Sequence, residues 1–417
     1  MTKLLIKNIG CLGQVRENSP ETVAGKAMSE LPSIHNAWIA IENDSIADFG
    51  TMESFPGISD WSGLEVMDAN EGFVFPTWCD SHTHLVYAGS REEEFADRIR
   101  GLGYEEIALR GGGILNSAKK LRAASEDELF QQAAERLDEV ISIGTGAIEI
   151  KSGYGLDVES ELKMLRVIQR LKMRGPIAVK ATFLGAHAVP MEFKNNKSGY
   201  IDLLINELMP AIEKEKLADY CDIFCERNYF TEEESIIILE AGKKHGMNPK
   251  VHANQLSNSG GVQAGVKTNA TSVDHLEFVG EEEISLLKNS KTIPTLLPGA
   301  QFFLGLQYPP ARKMIDAGLP IAVATDYNPG SCPSGNMNQM ISLLCINYKM
   351  TPEEAINAAT INSAAAMGLS ATHGSITIGK KANLILTKKI SSVAFLPYSF
   401  GSNLIESVII NGKKIPR

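Results

Sequence analysis

Apolar positions recur along this chain in two rhythms. At both ends they come singly or in short alternation with polar ones, as in "KLLIKNIGCL", "NAWIAIENDSIADFG" and "LEVMDAN" before residue 70 and "GSITIGKKANLILTKK" after 371. That is the period of a strand with one covered face. "ESVIINGKKI" adds an Asn-Gly hairpin signal. The ends, residues 1–70 plus 371–417, are therefore expected to form one composite β-sandwich domain.

The stretch from 71 to 370 reads differently. Eight short apolar runs, "GFVFPTWCD", "GAIEIKS", "IAVKATFLGAH", "CDIFCE", "PKVHANQ", "TSVDHL", "TIPTLLPG" and "IAVATD", alternate with longer segments. Segments such as "EDELFQQAAERLDEVISIG", "ESELKMLRVIQRLKMRG" and "TEEESIIILEAGKKHG" carry apolar residues at helical spacing. Eight strands alternating with helices predict an α/β fold, a (β/α)8 TIM-like barrel.

Chemistry in such a barrel sits at the C-terminal ends of the strands. The first run ends in Asp80-Ser81-His82-Thr83-His84, the third near His187, the fifth near His252, the sixth at His275 and the eighth at Asp326. In extended backbone, residues two apart point the same way, so His82 and His84 face one point. With His252 and Asp326 they make three nitrogen donors and one carboxylate, a set that suits zinc, iron or manganese. An ion there would lower the pKa of a bound water from ~15.7 to about 7. Asp326 would accept that water's proton, and His275 would stabilise charge on the attacked oxygen. His35, His245 and His373 fall outside the pattern and read as surface or structural residues.

Composition narrows the field. A net charge of −10 disfavours nucleic acid and anionic lipid. No run approaches ~18 uninterrupted apolar residues, so no membrane span is expected. The start of the chain, "MTKLLIKNIGCLGQV", does not read as a signal peptide, and six scattered cysteines read as buried thiols, Cys221 and Cys225 included. Both point to a cytoplasmic setting. The "GGGI" at 111–114 lacks a following Gly-Lys-Ser/Thr and reads as a tight turn, not a nucleotide loop.

These residues resemble the amidohydrolase superfamily, and within it the imidazolonepropionases. The likeness runs through "DSHTHLVYAGSREEEF", "RGGGI", "EIKSGYGL", "FLGAHAVP", "DIFCE", "DHLEF" and "ATDYNPGSCPSGNM" and spans essentially the whole chain. It implies hydrolysis of the cyclic amide C–N bond of 4-imidazolone-5-propanoate to N-formimidoyl-L-glutamate, in histidine degradation. It implies His82, His84, His252 and Asp326 as metal ligands, with Asp326 and His275 catalytic. It assigns Arg91 to the substrate carboxylate, a pairing that guanidinium geometry favours, and Tyr154, His187, Gln255, Asn328, Gly330 and Ser331 to the rest of the substrate. A homodimer is implied too.

There are departures. Some relatives carry Glu at the place of Gln255, which cannot serve as a base, and Asn254 and Ser331 stand where Asp and Thr are common. Some relatives bridge two metals with a carboxylated lysine ending the fourth strand. Here that strand ends in Glu226, so one zinc or iron ion is expected; Lys151 and Lys180 read as structural or charge-balancing. The nearest rival is a deaminase of a cyclic base, which would not need Arg91. A barrel that has lost catalysis is disfavoured because every ligand is present.

Overall fold

The computed structural model describes residues 3–102 and 112–416. The termini supply β1 (Lys3–Gly13), β2 (Ser33–Glu42), β3 (Ser45–Thr51), β4 (Leu64–Asp68) and β5 (Phe73–Pro76) from one end. From the other come β14 (Leu384–Thr387), β15 (Ile405–Ile410) and β16 (Lys413–Lys414). They hydrogen-bond in the order β16-β15-β14-β5-β1-β2-β3, with β4 also on β1. The halves of the expected sandwich are thus joined into one mixed sheet that branches at β1. Its residues 3–7 pair with β4 and residues 11–12 with β5. Leu4, Ile6, Ile39, Ile41, Leu384, Leu386 and Ile409 gather in one apolar core. The β15–β16 hairpin turns on Asn411 (φ 50°) and Gly412 (φ 73°). Two successive positive φ angles are what an Asn-Gly turn supplies cheaply.

All eight apolar runs of the middle contribute strands to a parallel sheet in chain order: β6 (Trp78–Asp80), β7 (Thr145–Lys151), β8 (Ala178–Ala186), β9 (Tyr220–Cys225), β10 (Asn248–Ala253), β11 (Ser272–His275), β12 (Ile293–Leu296) and β13 (Ala322–Val323). One run is split. In "GFVFPTWCD" the first part is β5, paired antiparallel with β14, and only Trp78–Asp80 enters the barrel. Thr77 N donates to Asn383 O, and the next residue's N donates to Gly144 O, so the chain changes sheets in one step. Both parts are extended and buried, so periodicity does not reveal the switch.

The barrel closes between β6 and β13 beyond their ladders. Thr325 N and Oγ1 donate to the two oxygens of Asp80, at 3.0 and 2.6 Å. Asp326 N donates to His82 O (3.0 Å) and His84 N to Tyr327 O (2.9 Å). The closing seam therefore brings His82, His84 and Asp326 side by side.

The helices begin where polar caps dictate. Ser125 and Glu128 form a reciprocal capping box on helix Glu126–Ser142, as Thr231 and Glu234 do on Glu232–Lys244. Asp157 caps Val158–Arg174. Their apolar faces meet outward strand residues such as Ile148, Ile150, Cys221, Ile223 and Val251 in the main core. All six cysteines are free thiols, five of them buried. Among the described residues no helix is long and apolar enough to cross a membrane.

Asn362 stitches the N-terminal segment to the barrel. Fully buried, it accepts from Val23 N and donates to Val23 O and Ile321 O, each at 2.8 Å. Replacing it with Ala strands three backbone groups. Asn362→Ala is expected to destabilise the fold by about 2–4 kcal/mol, read from the urea midpoint at unchanged m. A shift below about 0.5 kcal/mol would mean that other contacts hold this segment.

Candidate metal centre and active site

The strand ends converge as the pattern predicts. Donor atoms of His82, His84 and His252 lie within 4.8 Å of one another, and so do those of His82, His275 and Asp326. Asp326 Oδ1 is 3.6 Å from Nε2 of both His82 and His84. His84 Nε2 is 3.4 Å from His252 Nε2. Burial holds His82 and His84 well below the ordinary histidine pKa and His252 at about 3. All three are neutral imidazoles at pH 7, the form that binds metals.

His82 is hydrogen-bonded on its far side, and His252 has a carboxylate beside it there. His82 Nδ1 lies 2.6 Å from Asp274 Oδ2, and His252 Nδ1 lies 3.0 Å from Asp222 Oδ2. A proton on Nδ1 leaves each Nε2 as a lone pair aimed at the cluster. His82 Nε2 is buried without a hydrogen-bond partner. Burial also raises Asp326 to about 6. Lone pairs and a buried carboxylate crowded at these distances fit a cation, so the residues suit the ion that the sequence predicts.

Beneath this cluster lies a charged layer. Glu149, Lys151, Asp222, Lys250 and Asp274 are fully buried inside the barrel. Lys151 pairs with Glu149 (2.7 Å) and Asp222 (2.8 Å). Lys250 pairs with Glu149 (2.6 Å) and donates to Ser81 O at 2.8 Å. Ser272 Oγ donates to the second oxygen of Asp274 at 2.6 Å. For Asp222, burial opposes ionisation but Lys151 and His252 prevail, and its pKa lies well below the usual range. Lys151 thus balances buried carboxylate charge, while Glu149, Asp222, Lys250 and Asp274 lie inside the strands, where the strand-end pattern does not reach. Lys180 instead pairs with Asp219 at 3.0 Å, partly exposed.

Asp326 is held from its own loop. Ser331 Oγ donates to Oδ2 (2.8 Å), and Asn328 Nδ2 donates to the Asp326 carbonyl (2.7 Å) and to Ser331 Oγ (2.5 Å). Asn328 Oδ1 accepts from the backbone of Gly330 and Ser331, both at 2.8 Å. The side chains of Asn328 and Ser331 therefore orient the carboxylate. His275 turns its Nδ1 toward buried Glu277, 3.6 Å away, which accepts from Gln301 at 2.6 Å. Burial opposes a charge on His275, but Glu277 outweighs it and the pKa rises. Glu277 is a further residue that the strand-end pattern does not reach.

His187 stacks on His84, with ring centres 5.3 Å apart, and its Nδ1 meets Gly153 O at 3.1 Å. Tyr154 is buried against both histidines, at 5.8 and 5.6 Å. Arg91 stands at the rim paired with Glu94, and a Cβ on Gly330 would collide with its guanidinium. Gln255 is half-buried in the loop after β10. Glu226 lies outside the cluster: its oxygens accept from the backbone of Arg227, Leu256 and Ser257 and from the Ser257 hydroxyl. Gly113 opens helix Ile114–Ala123 at φ 88°, while Gly111 of the glycine run lies outside the described residues. Of the remaining histidines, His245 pairs with Glu213 and His373 is buried beside Asn383.

An eight-stranded barrel with His-x-His after its first strand, histidines on the fifth and sixth and an aspartate past the eighth defines the amidohydrolase class, and residues 226–415 match the model of the amidohydrolase family. More narrowly, the chain belongs to the imidazolonepropionase family. It is 60% identical to the imidazolonepropionase of Flavobacterium johnsoniae over 99% of both chains. It is 59% identical to that of Christiangramia forsetii over 99% of this chain and 100% of the other. Among solved structures it resembles 5-methylcytosine deaminase from Klebsiella pneumoniae (TM-score 0.74, 15% identity, 99% and 98% of the chains). It also resembles N-isopropylammelide isopropylaminohydrolase from Burkholderia multivorans (TM-score 0.71, 17% identity, 100% and 99%). These distant likenesses concern the fold.

If Asp222 orients His252, Asp222→Asn is expected to weaken metal retention about 10–100-fold, read by competition with a chromogenic chelator on folded protein. Unchanged retention would show that His252 needs no such partner.

Proposed function

We propose that this chain hydrolyses the ring amide of 4-imidazolone-5-propanoate to N-formimidoyl-L-glutamate. It would hold one zinc or iron ion through His82, His84, His252 and Asp326. The observation that carries the reading is the identity of about 60% to imidazolonepropionases along the whole chain. The convergence of His82 with His84 and His252, and with His275 and Asp326, supports it.

When bound, the ion would polarise the substrate carbonyl and make hydroxide available near neutral pH. The chain's own groups divide the remaining work. Asp326 accepts the attacking water's proton and passes it to the departing ring nitrogen as the C–N bond breaks. Its Oδ2 is held by Ser331, so Oδ1 faces the cluster. His275, with Nδ1 toward Glu277, has its other ring nitrogen free to donate to the carbonyl oxygen. Arg91 grips the propanoate. Tyr154 and His187 wall the ring, Gln255 hydrogen-bonds it, and Asn328, Gly330 and Ser331 bound the pocket while fixing Asp326. We assign the work to a cytoplasmic homodimer that needs no nucleic acid.

Loss of substrate ultraviolet absorbance measures turnover. Chelation should abolish it, and zinc or iron should restore it to a stoichiometry near one per chain; a ratio near two would overturn the single-metal assignment. Asp326→Ala should remove turnover. Arg91→Ala should act mainly on KM, by about 100-fold or more for two charge-assisted hydrogen bonds. An unchanged KM would take the carboxylate away from Arg91. A light-scattering mass of one chain would remove the homodimer.

A further inference from the structure

Arg91, assigned above to the substrate's carboxylate, is held by the protein itself. Arg91 Nε and Nη2 both donate to one oxygen of Glu94, at 2.8 and 2.6 Å. The other Glu94 oxygen accepts from Gly113 N (3.0 Å) and Asn116 Nδ2 (3.4 Å). Burial opposes ionisation of Glu94, yet Arg91 and these donors outweigh it, so its pKa falls and it is a carboxylate at neutral pH. The guanidinium is thus clamped along its Nε edge. Its opposite end, Nη1 with the second hydrogen of Nη2, is the edge that receives a carboxylate through two parallel bonds. Nη1 has no hydrogen-bond partner among the described residues and lies against Gly330, where a Cβ would come within 2.9 Å of Arg91 Cζ.

A second arginine pins the same helix to the same turn. Arg98, also on helix Glu92–Ile99, donates Nη2 to Gly330 O at 3.2 Å and lies over the ring of Phe303, 5.2 Å from its centre. Two guanidiniums and one carboxylate therefore meet beside Gly330. They leave one positive charge for one incoming anion, and the field of Arg91 reaches Tyr154 and His187 at the cluster.

We propose that Glu94 is a positioning residue for substrate. It fixes Arg91 by one edge, presents the other to the substrate's carboxylate, and ties that geometry to the glycine turn through Gly113 N. The gain is preorganisation: a free arginine would lose side-chain freedom on binding, and its fork would arrive misaligned. This inference rests on the reading of Arg91 as the carboxylate's partner.

The test compares wild type, Glu94→Ala, Glu94→Gln and Gly330→Ala. The readouts are KM and kcat for 4-imidazolone-5-propanoate, and inhibition constants for imidazole-4-propanoate and its uncharged amide. Glu94→Ala should raise KM and the propanoate's inhibition constant about tenfold or more, leaving kcat and the amide's constant within about twofold. Glu94→Gln, which can still accept from Arg91 but turns an amide donor toward Gly113 N, should recover part of the loss. Gly330→Ala, which displaces the guanidinium from the other side, should also raise the propanoate's inhibition constant more than the amide's. A fall in KM would mean that Glu94 competes with the substrate, and equal weakening of propanoate and amide would mean a merely structural role; either overturns the proposal. Wild type that fails to prefer the propanoate would instead overturn the reading of Arg91.

Discussion

Two lysines buried among three carboxylates inside the barrel are the constraint on which the site depends. Burying a charge is costly unless its partners are close and hydrogen-bonded. Lys151 between Glu149 and Asp222, and Lys250 between Glu149 and Ser81 O, meet that condition. The layer holds one more negative charge than positive. Its acids Asp274 and Asp222 face His82 and His252, so they draw protons to the far nitrogens and leave the near ones open. A cation held above the layer would complete its charge. The two arrangements need each other: without the layer the imidazoles lose their orientation, and without a cation the layer keeps an uncompensated charge.

The same residues close the barrel. β13 is only two residues long in the ladder, and the seam is finished by Asp80 with Thr325 and by backbone bonds of His82 and His84 to Asp326 and Tyr327. An ion shared by His82, His84, His252 and Asp326 would cross-link the first, fifth and eighth strands. Metal affinity and closure of the fold are then one equilibrium seen from two sides.

Much of this was legible in the sequence because two periods are hard to mistake. Eight buried runs separated by capped helices leave few alternatives, and a histidine or aspartate ending a run has one natural place to point. The charged layer was hidden in plain view. Glu149, Asp222, Lys250 and Asp274 sit inside "GAIEIKS", "CDIFCE", "PKVHANQ" and "TSVDHL", runs whose apolar residues dominate the pattern. Barrel strands are buried on both faces, so a charge at alternate positions within them marks a paired interior, and that signal was available. The partner switch inside "GFVFPTWCD" was not, since both halves are extended and buried. Nor was the work of Asn328 and Ser331, because a turn's internal hydrogen bonds leave no trace in spacing.

The strand ends show how the site is aimed. His275 (φ 85°), Leu276 (φ 70°), Asp326 (φ 57°) and Asn254 (φ 54°) all adopt left-handed backbone. Asn tolerates it, but for the others each turn costs on the order of 1–3 kcal/mol. Such strain persists only where neighbours over-determine it. Asn254 does so between two loops, bonding Gly261 N and Phe278 O, and Asn328 with Ser331 does so around Asp326. A relaxed strand would carry these side chains past the mouth along the barrel axis. The left-handed step turns the chain at the last residue, so His275 and Asp326 stay over the cluster while the loop leaves for the rim. The residues that look replaceable in the sequence, an Asn and a Ser in place of the more usual Asp and Thr, are the ones that hold this turn.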